Sequence, residues 1–218
     1  MTQVLSLKVY DEVTDWIKSR GIPQSKPKHF EVIEDLTTNI VGKLAQIALR
    51  ADRGEDQIRK FIGLAQNHKI RSINTSGRMF EFKQLIDESL RGDFFYEKFE
   101  RQMLSLRLGG VQSGDGEIAL VLLDRDGILY TDNQDADVFV GNVNTQVKKI
   151  GTNHTNPARM EAYYNSPSVD YIMMIDPEFK SQKKVDNRVW VCDTSTTHWS
   201  DVFYHNEIGQ NLRPVHPY

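Results

Sequence analysis

Apolar positions recur at three- and four-residue intervals through the first hundred residues, and at every second residue in short runs after residue 110. The first spacing is that of an amphipathic helix and the second that of a half-buried strand. Leu5–Ser19 has helical spacing and stops at Gly21-Ile22-Pro23, a breaker combination. Phe30–Arg50 is the longest predicted helix, with Val32, Ile33, Leu36, Ile40 and Leu44 along one side, followed by Glu55–His68, Met79–Leu90 and Phe94–Leu106. The glycines after Leu108 mark a predicted boundary between a helical region, 1–108, and a second domain, 109–218.

Past that boundary the pattern predicts a short buried helix led by Glu117, with Ser113 or Asp115 as its cap. Asp126-Gly127 then turns the chain into a strand at Ile128–Thr131. Two further strands, Ala136–Val140 and Asn144–Ile150, flank Gly141-Asn142, a two-residue hairpin signal read as a type II′ turn with glycine supplying the positive φ. A helix over Pro157–Asn165, strands at Val169–Ile175 and Arg188–Cys192, and a closing helix at Trp199–Glu207 complete the prediction. The fold class is therefore α/β, with a helical N-terminal half.

The hairpin turn dictates a register. If Val140 pairs with Val143, Asp137 lies across from Gln146, and residues two apart share a face. Asp135, Asp137, Gln146 and Lys148 are then delivered to one side of a rigid ribbon, with opposed Cβ atoms about 4.5–5.5 Å apart. A solvated sheet face has the same alternation, and an acid in a helix's first turn is an ordinary dipole partner.

Taken with the strand order, this constellation resembles the PD-(D/E)xK nuclease superfamily. That family has a restriction-endonuclease-like mixed-sheet core of helix, three strands, helix and strand. An Asp ends one strand, a (D/E)xK triplet lies on the next, and a Glu often comes from the preceding helix. The matching residues are Asp137, Gln146-Val147-Lys148 and Glu117. Gln146 departs from the usual acid, as in the QxK version of the Mrr-like branch. The GDGEIALVLL segment is also similar to helix openings in nuclease-fold proteins of tailed bacteriophages. The resemblance implies a Mg²⁺- or Mn²⁺-dependent DNA nuclease. Asp137, Glu117, the Gln146 amide oxygen and the Val147 carbonyl would be metal ligands, and Lys148 would orient water or stabilise the transition state. It also leaves open a catalytically silent nuclease fold used in DNA binding or phage particle assembly. A third reading is an α+β interaction protein with a solvated hairpin.

Composition narrows the partners. A net charge of -3 and a pI near 6.1 disfavour a general nucleic-acid coat, so DNA contacts would have to be local. The basic run Lys180–Arg188 is read as a loop between two strands, and Lys149, Lys180, Lys183, Lys184 and Arg188 are the candidate DNA contacts. The helical half is rich in acids, including Asp11, Glu12, Asp15, Glu31, Glu34 and Asp35. It is expected to pack on the second domain, on a protein partner or on another copy rather than on DNA. A single cysteine, Cys192, fits a reducing compartment. The opening residues lack an apolar secretory core, and the longest apolar run, Ile118–Leu123, is far short of a membrane span. Cytoplasm, or a virion for a phage-encoded chain, is the expected location. The six histidines form no HxH or HExxH pattern, and neither GxGxxG nor GxxxxGK[ST] occurs, so zinc and nucleotide cofactors have no support.

Overall fold

A computed structural model gives the structure of the protein and describes residues 7–22, 54–71, 79–93, 95–97, 99–100, 115–130, 135–149, 157–181 and 184–200. The helices include α1 (Leu7–Lys18), α2 (Gly54–Asn67), α3 (Glu88–Arg91), α4 (Asp115–Leu122) and α5 (Pro157–Tyr164), and residues 95–97 and 99–100 are helical as well. The strands are β1 (Met79–Glu81), β2 (Ile128–Leu129), β3 (Val138–Val140), β4 (Val143–Lys149), β5 (Tyr171–Ser181) and β6 (Lys184–Asp193). The predicted Phe30–Arg50 helix, the 108–110 boundary and most of the predicted closing helix lie outside the described residues.

The strands form one mixed sheet in the order β1-β6-β5-β4-β3-β2. Among the described strands only the β4–β5 pair is parallel; β2–β3, β3–β4, β5–β6 and β1–β6 are antiparallel. A parallel pair cannot be joined by a tight turn, and α5 lies in the connection between β4 and β5. The protein is thus α/β, as the alternation predicts.

Register sorts the side chains onto two faces. Val147 pairs with Met173 and Met173 with Val191, while Val138 pairs with Thr145. Val138, Val140, Val147, Met173, Ile175, Val189 and Val191 belong to one buried cluster with α1, α2 and α4. In α1 that cluster takes Val9, Val13, Trp16 and Ile17, and in α2 Ile58, Phe61, Ile62 and Ala65, the helical stripe that the sequence predicts. The Phe61 ring lies 4.8 Å from Phe95 and 5.2 Å from Phe99, and Arg59 pairs with Glu12 at 2.7 Å to tie α2 to α1. Gly116 lets α4 approach closely, since a Cβ there would come within 2.6 Å of Ile175 Cδ1. On the opposite face Ile172, Trp190 and Cys192 pack with Met160 of α5, Val169 and Trp199, bordered by Tyr130, Tyr163 and Tyr164.

Two segments differ from the sequence prediction. Met79–Leu90 is predicted as a helix, yet Met79–Glu81 is an edge strand on β6, Phe82–Leu85 is a single 3₁₀ turn, and the helix α3 begins only at Glu88. Phe82, Leu85, Ile86 and Leu90 are buried all the same; their spacing satisfies a helix template, but the extended Asp87 ahead of Glu88 breaks the run. The basic run Lys180–Arg188, expected as a loop, belongs mostly to strands: β5 extends to Ser181 and β6 starts at Lys184, with Lys180 opposite Val185 and Arg188 opposite Asp176. Main-chain pairing overrides charge here, with Phe179 opposite Asp186 and Lys180 opposite Val185, and aromatic and β-branched residue types favour strands.

Where the N-terminal helices meet the sheet, one carboxylate organises three main-chain segments. Asp124, fully buried after α4, accepts hydrogen bonds from the Gly141 amide (2.8 Å), the Ile70 amide (3.3 Å) and the Asp126 amide (2.9 Å). Beside it His68 bonds the Leu123 carbonyl through Nδ1 and accepts the Asp87 amide at Nε2, 3.1 Å away. Arg20 donates to the Arg125 carbonyl, while its own carbonyl accepts the Leu129 amide at 2.9 Å. The end of α1 therefore covers the β2 edge of the sheet.

Candidate active site on the β3–β4 hairpin

Val140 pairs with Val143, Phe139 with Asn144 and Val138 with Thr145, as the turn predicts. Gly141 has φ 61° and Asn142 φ 69°. Two positive values make this a type I′ turn, correcting the type II′ expectation. Asparagine tolerates the left-handed region, and its Oδ1 also accepts from Lys69 Nζ at 2.7 Å.

One residue beyond the paired part of β3, Asp137 is fixed through its backbone. Its amide donates to the Thr145 carbonyl at 3.1 Å, and its carbonyl accepts the Tyr130 amide at 3.0 Å. Its carboxylate Oδ2 then receives three donors from a single stretch of β4: Gln146 Nε2, the Val147 amide at 2.9 Å, and Lys148 Nζ at 3.2 Å. Gln146 is only 1% exposed, whereas the Asp137 and Lys148 side chains keep 24% and 15% of their accessible surface. The carboxylate and ammonium are thus reachable while the amide beneath them is not. Lys148 Nζ also lies over the Tyr163 ring of α5, 4.8 Å from its centroid.

The remaining predicted residues are placed as follows. Glu117 stands in the first turn of α4, half-buried, on the helix packed against the opposite face of the sheet from Lys148. Among the described residues, the side-chain partners of Asp137 come from β4. The Gln146 amide presents nitrogen rather than oxygen to Asp137, as an ionised carboxylate requires of its neighbour. Val147 contributes its amide to Asp137 and sends its side chain into the core. Asp135 is separate from the group; its carboxylate accepts from the Ser166 hydroxyl at 2.6 Å. Lys149 closes β4, Lys180 and Lys184 flank the β5–β6 connection, Arg188 stands opposite Glu81 and Asp176 in the main-chain register, and Lys183 is outside the described residues. Among the described residues no group of three or more His, Cys, Asp and Glu side chains converges as a metal cluster. No helix among them is long and apolar enough to cross a membrane.

Sequence reasoning did not single out Tyr163 as a neighbour of Lys148, because α5 reaches β4 only through tertiary packing. A second polar group borders the same layer. Glu161 accepts from the Trp199 indole and from Asn165 Nδ2 (3.0 Å), with His198 Nε2 3.6 Å away. The indole and amide bonds hold the Glu161 carboxyl below its usual range. Compared with protein-family models, curated proteins and solved structures, the chain matches none.

Proposed function

We propose that the protein is a metal-dependent DNA nuclease of the PD-(D/E)xK type, with Asp137 and the Gln146-Val147-Lys148 triplet as its site. The observation that carries this reading is the convergence of all three triplet residues on the one Asp137 carboxylate. The order α4, β2, β3, β4, α5, β5 supports it, being the helix, three strands, helix and strand of that superfamily's core.

The donor set suits Mg²⁺ or Mn²⁺ as a one-carboxylate site, since Mg²⁺ commonly binds through one or two carboxylates plus substrate phosphates and retained waters. Asp137 would hold the cation, with the Val147 carbonyl and the Gln146 oxygen, once its amide turns over, as neutral ligands. Glu117, on the helix packed against the other face of the sheet, stands outside this donor set. Such a cation, when bound, would supply charge neutralisation at the scissile phosphate and an activated water. Lys148 places a positive charge beside Asp137, where it can steady a developing oxyanion, and Gln146 supports the Asp137 carboxylate. DNA would be gripped by Lys149, Lys180, Lys183, Lys184 and Arg188, acting as local phosphate contacts.

A catalytically silent nuclease fold, serving DNA binding or particle assembly, is favoured by a specific observation of its own. All three donors occupy the same Asp137 oxygen, a self-satisfied arrangement that needs no cation. Plasmid DNA incubated with the protein and Mg²⁺ or Mn²⁺ separates the two. Cleavage that disappears in Lys148→Ala and Asp137→Ala supports the enzyme; binding without cleavage supports the silent fold. Gln146→Glu sharpens the test. A carboxylate 1% exposed beside Asp137 is destabilising unless a cation bridges the pair. Metal-dependent gain in the melting temperature of that variant, absent in an Asp137→Ala background, is the expected result. Equal melting with and without metal would remove the cation from the site.

A further inference from the structure

We infer that Tyr163 is the positioning residue of the Asp137 site, holding the Lys148 ammonium between its ring face and the Asp137 carboxylate. The inference deepens the nuclease reading and rests on it for its catalytic consequence. Lys148 is a long, flexible side chain whose ammonium, left in solvent, has many accessible directions. Two contacts select one of them: Asp137 Oδ2 at 3.2 Å and the Tyr163 ring at 4.8 Å to its centroid. An ammonium within about 6 Å of an aromatic centroid is attracted by the ring's negative face. Its low exposure, 15%, strengthens both contacts by displacing water.

The ring is itself held in place. Tyr163 borders the buried group formed by Met160, Val169, Ile172, Trp190, Cys192 and Trp199. Three residues earlier, and therefore on the same face of α5, Met160 is fully buried. The carboxylate arm of the seat comes from the β3–β4 hairpin and the aromatic arm from the α5 crossover, so the ammonium joins two separately built pieces of the fold. The ring face, rather than the hydroxyl, makes the contact, and phenylalanine should replace it.

The test reads the position of the ammonium directly. In the full-length protein, the Lys148 ε-methylene NMR signals should lie upfield of ordinary lysines, shielded by the ring current of Tyr163. Tyr163→Phe should retain that shift, and Tyr163→Leu, which keeps an apolar side chain, should abolish it while the rest of the spectrum stays dispersed. Mg²⁺-dependent plasmid cleavage should fall roughly five- to thirtyfold in Tyr163→Leu, the equivalent of about 1–2 kcal/mol of lost cation–π contact, and recover in Tyr163→Phe. An unshifted Lys148 signal in the wild-type protein overturns the seat. A shift lost in Tyr163→Leu with cleavage unchanged overturns the positioning role. If the wild-type protein shows the shift but cuts no DNA, the seat stands and the nuclease reading falls.

Discussion

Replacing Asp124 with alanine should weaken the fold by about 3–4 kcal/mol. The carboxylate accepts three main-chain amides, of which those of Gly141 at 2.8 Å and Ile70 at 3.3 Å are buried and that of Asp126 at 2.9 Å is nearer the surface. A buried donor left without an acceptor costs about 1–3 kcal/mol. The short Gly141 bond to a charged acceptor belongs near the top of that range, the longer Ile70 bond near the bottom, and water can rescue the Asp126 amide. Asp124→Asn keeps one oxygen in place of two and should cost about 1–2 kcal/mol, by turning an NH₂ group toward an amide that needs an acceptor. Urea unfolding of the two variants measures both values, against a total stability of about 5–15 kcal/mol for a domain. Amide exchange localises the effect: the Gly141 amide should exchange faster in the alanine variant. Stability within about 1 kcal/mol of wild type, or unchanged protection at Gly141, would refute the role of Asp124 as the tie between hairpin and helices.

Three further outcomes follow from particular residues. Gly141→Ala should cost about 1–2 kcal/mol through the left-handed backbone alone, because its Cβ would sit 3.6 Å from the Ile70 carbonyl, an ordinary contact; chemical denaturation checks this. Thr145→Val should be neutral or stabilising in the same measurement, by up to about 1 kcal/mol, since the Thr145 hydroxyl is buried without a hydrogen-bond partner. Glu161 is held below its ordinary 4.5 first by the Trp199 indole, then by Asn165 and the nearby His198. A depressed folded value means that its stabilisation is present above pH 4.5 and is lost as pH falls through the lower folded value. The Trp199 indole N–H signal should therefore titrate below pH 4.5 and stop doing so in Glu161→Gln; an indole signal insensitive to acid would contradict the assignment.

The most legible part of the chain was the hairpin, because a two-residue turn leaves one register and strict alternation then assigns each face. That reasoning placed Asp137 beside Gln146 and Lys148. The stripes of α1 and α2 were legible for the same reason: Val9, Val13, Trp16 and Ile17 repeat at the helical period. The handedness of the turn residues was not, since Gly-Asn suits two turn types and only Asn142's own φ decides between them. Met79–Leu90 was opaque because Phe82, Leu85, Ile86 and Leu90 are buried by tertiary contacts that override local period. The strand character of Lys180 and Lys184 was hidden by their charge, whereas Arg188 falls at the start of a predicted strand. Tyr163 and Asp124 act through partners remote in sequence, Lys148 and the Gly141 and Ile70 amides, and no local pattern announces such pairs.

The single parallel pairing in the sheet carries a consequence for the order of assembly. Asp137 meets Gln146 and Lys148 across separations of 9 and 11 residues, so the polar group closes a short loop and can form as soon as the hairpin does. Its aromatic wall cannot, because β5 must first return alongside β4 after α5, and crossover pairing is entropically slower than local pairing. The nascent chain would then hold an ion pair open to water before it holds a dry, aimed ammonium. The seating of the Lys148 ammonium against Tyr163 accordingly waits for completion of the fold, whereas its pairing with Asp137 needs only the hairpin.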